Sequence, residues 1–307
     1  MLLNILNAPV EVLEDELFIQ KKIAVAVLRL DKIHPIVSGN KLFKLQYFLQ
    51  QATATAHKTI VTFGGTYSNH LVATAFACRA GGLRCIGIVR GEEPAQLSAT
   101  LEQCIDYGMQ LKFVSRPTYA EKEKAQFVDE VHHEFGAAII IPEGGYHPLG
   151  AKGAAGIYEL IMPDNYSHIC TATGTATTAA GLLLNALHKN QALHQNIICV
   201  PVLKGMTDIE ARVNFLCCNN VKKNRLIIFD GYHFGGYAKT KPELIAFMNY
   251  LWQQHQLPTD FVYTAKLFFA IYNKIKNDYF TPGSNLLCVH TGGLQGNRSL
   301  PEGSLLF

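Results

Sequence analysis

Short, almost continuous apolar runs alternate along this chain with longer stretches whose apolar positions recur at helical spacing. KKIAVAVLRL (21–30) predicts a strand or one arm of a hairpin, and KLFKLQYFLQQA (41–52) predicts a helix, because positions 42, 45, 48 and 49 fall on one face. TIVTF (59–63), NHLVATAFACRA (69–80) and CIGIV (85–89) read as strand, helix, strand, which is one βαβ unit. PAQLSATLEQCIDYG (94–108) predicts a helix closed by Gly108, followed by the strand QLKFVS, a charged amphipathic helix over 119–135 and the strand AAIII (137–141). After the glycine-rich stretch 144–156 a helix runs to about 162, and the rhythm then repeats. It passes through HICTATG, TTAAGLLLNALHK, NIICVPVL, a helix near 207–217, RLIIFD, KPELIAFMNYLWQQH, a helix over 264–277 and the strand NLLCVH (285–290).

Buried strand runs separated by helices imply an α/β fold of open, twisted, mainly parallel sheets with helices on both faces. A length of 307 residues suits one large α/β body or two lobes, and 144–156 is the natural crossing between lobes. Composition adds exclusions. The chain is 49% apolar and 17% charged, with a net charge of +3 and no Lys/Arg block that could track a phosphate backbone, so no nucleic-acid partner is expected. None of the eight cysteines forms a Cys-x-x-Cys pair and most sit in apolar runs, which predicts buried reduced thiols rather than disulfides or a zinc site. The N-terminal segment turns acidic early and lacks a basic region, and no apolar run reaches membrane-spanning length. The expected location is the cytoplasm, with no membrane partner.

In open parallel sheets ligands bind where strands end and helices begin, and four such junctions are unusual. In SGNK (38–41) a lysine opens a helix, where the dipole disfavours a cation. If also desolvated, Lys41 has its neutral amine favoured and can add to a carbonyl; a solvated lysine beside an Asn cap is the plain alternative. In FGGTYSNH (63–70) Ser68 or Asn69 either simply caps a helix or, with the loop N–H groups, receives a carboxylate. CTATGTATTAAG (170–181) runs small and hydroxylic residues into an apolar helix, a composition that lets N–H groups approach a phosphate, although it matches neither Gly-x-Gly-x-x-Gly nor a P-loop. GYHFGGYAK (231–239), VYTAK (262–266) and VHTGG (289–293) place tyrosines and threonines at further loop ends, where packing explains them equally well. Taken together, a carbonyl-binding lysine, a phosphate cup and a carboxylate loop specify a pyridoxal phosphate enzyme.

The motifs SGNKLFKL, GGTYSNH, IPEGGYHPLGAKG, ATGTATTAAG, VYTAK and HTGG, in this order over about residues 34–296, resemble the 1-aminocyclopropane-1-carboxylate deaminase and D-cysteine desulfhydrase family, of the tryptophan-synthase-β (type II) fold. The resemblance implies a large pyridoxal-phosphate domain (1–43 and 152–307), a small inserted domain (44–151) and a homodimer. It implies that Lys41 is the Schiff-base lysine and proton shuttle, with Asn40 beside the ring. Ser68, Asn69 and His70 would form the substrate-carboxylate loop, and Thr173, Gly174, Thr175, Ala176, Thr177 and Thr178 the phosphate cup. Tyr237 and Tyr263 would be the two active-site tyrosines, although GGYAK departs from the family's commoner surroundings of the first.

Deaminases of the cyclopropane substrate carry glutamate after the second tyrosine and leucine before the final Gly-Gly. Thr264 and Thr291 match the desulfhydrase pattern instead, and one of them would face the pyridine nitrogen. A neutral hydroxyl there leaves a weaker electron sink than a carboxylate, enough to expel a thiolate but poorly suited to opening a cyclopropane. The expected reaction is β-elimination from a small amino acid, D-cysteine. Deamination of 1-aminocyclopropane-1-carboxylate, another D-amino-acid lyase, a cofactor-binding protein without turnover and a small-ligand binding module of doubly wound type are the alternatives.

Overall fold

The chain begins with an antiparallel pair, β1 (Val10–Leu13) and β2 (Ala24–Arg29), joined through the short helix α1 (Glu16–Lys21), whose first turn is capped by the Asp15 carboxylate. The computed structural model describes residues 7–55, 57–161, 166–188, 195–219 and 225–307, so the expected helix ends at 162 and 189 lie outside the described residues. Next come α2 (Lys41–Ala54), β3 (Thr59–Gly64), α3 (Asn69–Ala80), β4 (Arg84–Arg90), α4 (Ala99–Asp106) and β5 (Met109–Val114). They are followed by α5 (Arg116–Ala120), α6 (Ala125–Phe135), β6 (Ala138–Ile141) and α7 (Pro148–Ala155). The second half contains β7 (His168–Thr173), α8 (Thr177–His188), β8 (Asn196–Pro201), α9 (Ile209–Leu216) and β9 (Leu226–Ile228), then α10 (Pro242–His255), α11 (Thr264–Lys276) and β10 (Asn285–His290).

These strands form two sheets. One has six strands in the order β1-β2-β10-β7-β8-β9, parallel apart from the edge pair β1-β2; the other has four parallel strands in the order β5-β4-β3-β6. Successive residues of β10 divide between two cores: Leu287 and Val289 face a cluster with α2, α7 and α8, and Leu286 and Cys288 face one with α1 and α11. Burial on both faces explains why the strands read as continuous apolar runs. The first cluster continues onto one face of the four-stranded sheet, whose other face packs Phe63 and Ile88 against α5 and α6.

Two expectations need correction. The helix expected over 119–135 is two helices, because Ser115 caps a first turn at Arg116 and the chain turns again before Ala125. The helix expected after the glycine-rich stretch 144–156 instead lies within it, as α7. Its glycines serve close packing: a Cβ on Gly153 would lie 2.0 Å from the Phe43 carbonyl oxygen of α2, and one on Gly181 of α8 would lie 2.6 Å from the Ala154 backbone of α7. The helices α2, α7 and α8 therefore stack at a separation that only glycine permits. The cysteines are free as expected; all are buried except Cys218.

Gly153→Ala is expected to destabilise the protein by about 1–3 kcal/mol, the usual range for overpacking. Gly156→Ala, whose methyl would meet Phe43 Cδ1 at an ordinary 3.5 Å, is expected to be neutral or slightly stabilising. Chemical denaturation of the two variants checks the contrast.

Candidate active site

At the carboxyl ends of β7 and β10 a cleft opens, lined by Asn40, Lys41, Lys44, Gly144, residues 172–179, Tyr263 and Thr291. This is the position at which open α/β sheets bind ligands, and the starts of α2, α8 and α11 all point into it. The seat of α2 is set by Gly39, whose φ of +80° and lack of a Cβ let it lie against the Thr291 carbonyl; a Cβ there would be 2.0 Å from that oxygen. The Asn40 N–H then donates to the same carbonyl at 3.3 Å.

Asn40 is the junction of the cleft. Its Nδ2 donates to Thr178 Oγ1 at 2.8 Å, and its Oδ1 accepts from Lys41 Nζ at 2.7 Å. The Lys41 amine also lies 5.8 Å from the centre of the Tyr263 ring. Burial lowers its pKa to about 8, and the opposite charge of Asp260 pulls it part of the way back up. An amine in this range is neutral often enough to attack a carbonyl near neutral pH.

The loop from β7 to α8 has the form expected of an anion cup. Ala176 holds a φ of +65°, rare for a residue with a Cβ, and Thr175 and Thr177 share a hydroxyl hydrogen bond of 2.9 Å at the helix start. Gly174 packs under Tyr263, where a Cβ would come within 3.2 Å of the ring. Opposite stands Lys44, one turn along α2 from Lys41 and only 5% exposed. Burial, reinforced by the charge of Lys41, holds its pKa well below the ordinary lysine value. Among the described residues no carboxylate pairs with it. A buried amine beside the N-terminus of α8 can be protonated at low cost only with an anion as partner, so this donor set fits a phosphate group.

Of the remaining expected residues, Tyr263 and Thr291 line the cleft and Thr264 does not. The Thr264 hydroxyl is fully buried, donates to Asp260 Oδ1 at 2.7 Å and accepts from the Asp260 N–H at 2.8 Å. It is committed to the start of α11 and has no lone donor to offer a ligand. Ser68 caps α3 by accepting from the Leu71 N–H at 3.3 Å, and Asn69 Nδ2 donates to the Gly293 carbonyl at 3.3 Å, leaving its buried Oδ1 without a partner. The loop between β3 and α3 thus lies beside the end of β10.

His70 turns away from that loop. Its Nε2 lies 2.9 Å from Thr62 Oγ1, which itself donates to the Ile141 carbonyl at 2.9 Å, so Nε2 carries the hydrogen and the buried Nδ1 has no partner. Burial, followed by the charges of Lys41 and Lys44, pushes the His70 pKa down to about 3, so the ring is neutral. Tyr237 keeps 44% of its surface exposed and stands edge-on to Tyr263 with ring centres 6.1 Å apart. Burial, reinforced by Tyr237, holds the Tyr263 hydroxyl protonated. His147 caps α7, its Nδ1 accepting from the Leu149 N–H at 3.1 Å, and its ring packs on Phe48.

Two residues escaped sequence reasoning. Lys44 sits three positions after Lys41, a spacing that places both on one helix face; that spacing was the available signal. Asp260 accepts hydrogen bonds from the N–H groups of Val262, Tyr263 and Thr264 and from the Thr264 hydroxyl, at 2.7–3.0 Å. It fixes Tyr263 at the start of α11, although burial raises its own pKa. An aspartate just ahead of an apolar helical stretch is its sequence mark.

Comparison with known proteins follows the same lines. The pattern of the family described as pyridoxal-phosphate dependent enzyme matches residues 9–292. A putative 1-aminocyclopropane-1-carboxylate deaminase of Pyrococcus abyssi is 29% identical over 273 residues, covering 85% of this chain and 81% of that one. The D-cysteine desulfhydrase of Klebsiella pneumoniae is 28% identical over 278 residues, covering 84% and 83%. A crystal structure of an ACC deaminase homologue superposes with a TM-score of 0.81 at 24% identity, covering 95% of this chain and 91% of that one.

Reductive methylation of Lys41 in the cofactor-free protein, followed by peptide mass spectrometry, is expected to rise through about pH 8. In Asp260→Asn the rise is expected at lower pH, because the charge that favours the ammonium is gone. An unchanged midpoint would show that Asp260 does not act on this amine.

Proposed function

The chain belongs to the pyridoxal-phosphate-dependent enzymes, and from that premise we propose that it is a lyase of the 1-aminocyclopropane-1-carboxylate deaminase and D-cysteine desulfhydrase group, with D-cysteine as its substrate. The Lys41 amine would hold the cofactor's aldehyde, Lys44 with the start of α8 its phosphate, and Thr291 its ring nitrogen. Bound pyridoxal phosphate supplies an electron-withdrawing ring that makes the proton on an amino acid's α-carbon removable.

The protein's own groups supply the rest. Ser68 and Asn69, at the N-terminus of α3, would receive the substrate carboxylate on the Ser68 hydroxyl and the first N–H groups of that helix. Lys41, held by Asn40, is neutral often enough near neutral pH to accept the α-proton. Tyr263, kept protonated by burial, gives its proton to the departing sulfur. The overall change, D-cysteine and water to pyruvate, hydrogen sulfide and ammonia, balances without any oxidant.

The observation that carries the choice of substrate is Thr291. The side chain lining the cleft at the end of β10 is a neutral hydroxyl, which supports a weaker sink and an easy leaving group. The second reading, deamination of 1-aminocyclopropane-1-carboxylate, is favoured by the names of several relatives, among them the Thermotoga maritima protein at 28% identity.

Sulfide and pyruvate are expected from D-cysteine, and no 2-oxobutyrate from 1-aminocyclopropane-1-carboxylate; the reverse outcome would overturn the assignment. Lys41→Ala is expected to abolish turnover together with the yellow colour of the bound cofactor. Tyr263→Phe is expected to keep the colour and lower kcat by about 10²–10⁴-fold, the range for a lost general acid.

A further inference from the structure

The loop between β9 and α10 that carries Tyr237 has an unusual backbone. Phe234 (φ +53°), Gly235 (+102°), Gly236 (+127°) and Ala238 (+51°) all adopt positive φ, and two of them bear a Cβ. Strained segments of this kind persist only where their surroundings over-determine them. Phe234 is anchored edge-on to Phe269, with ring centres 4.9 Å apart, and Gly235 N–H is held by His233 Nδ1 at 3.0 Å. Tyr237, 44% exposed, is not held by its own burial.

What ties the loop to the site is Lys266. This lysine lies on α11, three positions after Tyr263, and is 0% exposed. Its Nζ donates to the Gly236 carbonyl at 2.8 Å, the peptide unit directly before Tyr237, and the same carbonyl accepts from Lys239 N–H at 3.2 Å. The charged group that acts on it is Asp260; burial nonetheless lowers its pKa to about 8. Burying an ammonium for one bond to a carbonyl is a costly way to close a surface loop, which any neutral donor would close more cheaply. The bond couples the helix that presents Tyr263 to the loop that presents Tyr237.

We propose that Lys266 is a positioning residue for the reaction, latching the Gly236 carbonyl so that Tyr237 stays edge-on to Tyr263. Through that latch Tyr237 keeps its place against Tyr263, and its hydroxyl helps set where the Tyr263 hydroxyl points. The proposal rests on the catalytic reading of Tyr263 given above.

The test uses the holoenzyme with Lys266→Met, which keeps the length of the side chain and removes its donor. In the otherwise native protein it is expected to lower kcat by about tenfold or more with little change in KM, the signature of lost orientation. In a Tyr237→Phe background the same substitution is expected to cost less than about twofold, because the effect travels through Tyr237. Hydrogen exchange of residues 234–239 is expected to quicken while that of α11 and β10 is unchanged. Equal losses in both backgrounds, or unaltered exchange in the loop, would overturn the latch. If Lys266→Met fails to fold, Lys266→Gln, too short to reach the carbonyl, serves the same comparison. If the native protein turns over neither D-cysteine nor any other amino acid tried, the functional reading fails, and the exchange measurement alone decides the latch.

Discussion

Everything in the cleft depends on how Asn40 is seated. Its main chain is fixed to the Thr291 carbonyl at the end of β10, its amide nitrogen to Thr178 at the start of α8, and its amide oxygen to the Lys41 amine. One residue therefore joins a strand end, the start of α8 and the Lys41 amine. Gly39 makes this possible by removing the Cβ that would collide with Thr291. Behind Thr291, His290 is buried, with Nε2 2.8 Å from the Pro258 carbonyl and Nδ1 3.2 Å from Asp31, which is bound in turn to the buried Arg29. The floor against which Asn40 rests is thus itself held by polar groups in the interior.

The site stores unfavourable electrostatics. Lys41, Lys44 and Lys266 lie in or beside the cleft with amines that burial pushes below the ordinary lysine range, and Asp260 is the carboxylate that acts on the first and last of them. Such an arrangement opposes folding of the empty protein and would be relieved by an anion entering the cup. The same imbalance makes Lys41 reactive, so what weakens the bare protein serves its chemistry.

Much of this was legible in the sequence, and the exceptions have physical causes. Strands buried on both faces leave unbroken apolar runs, so their positions were plain; Lys41, Asn40 and residues 173–178 stood out because small, polar and basic residues at helix starts are locally unexpected. The glycine-rich stretch before residue 156 misled because glycine signals a flexible turn and a tight helix contact alike, and only the facing Phe43 carbonyl distinguishes them. Thr264 looked equivalent to Thr291, since nothing in VYTAK reveals that Asp260 has already taken its hydroxyl. His70 was grouped with its neighbours in SNH, yet one helical step turns its ring to Thr62. Lys44 was hidden among apolar positions because a sequence does not say which side of a helix meets a charged ligand.

The place of β10 has a consequence for biosynthesis. This strand, at residues 285–290, lies between β2 and β7 in the middle of the six-stranded sheet and carries Thr291 at its tip. A nascent chain leaving the ribosome holds Lys41 and the whole cup long before the segment that seats Asn40 has been translated. Asn40 can therefore take its seat only after β10 has been made, and a chain truncated before residue 285 would lack the strand on which Lys41 is aligned.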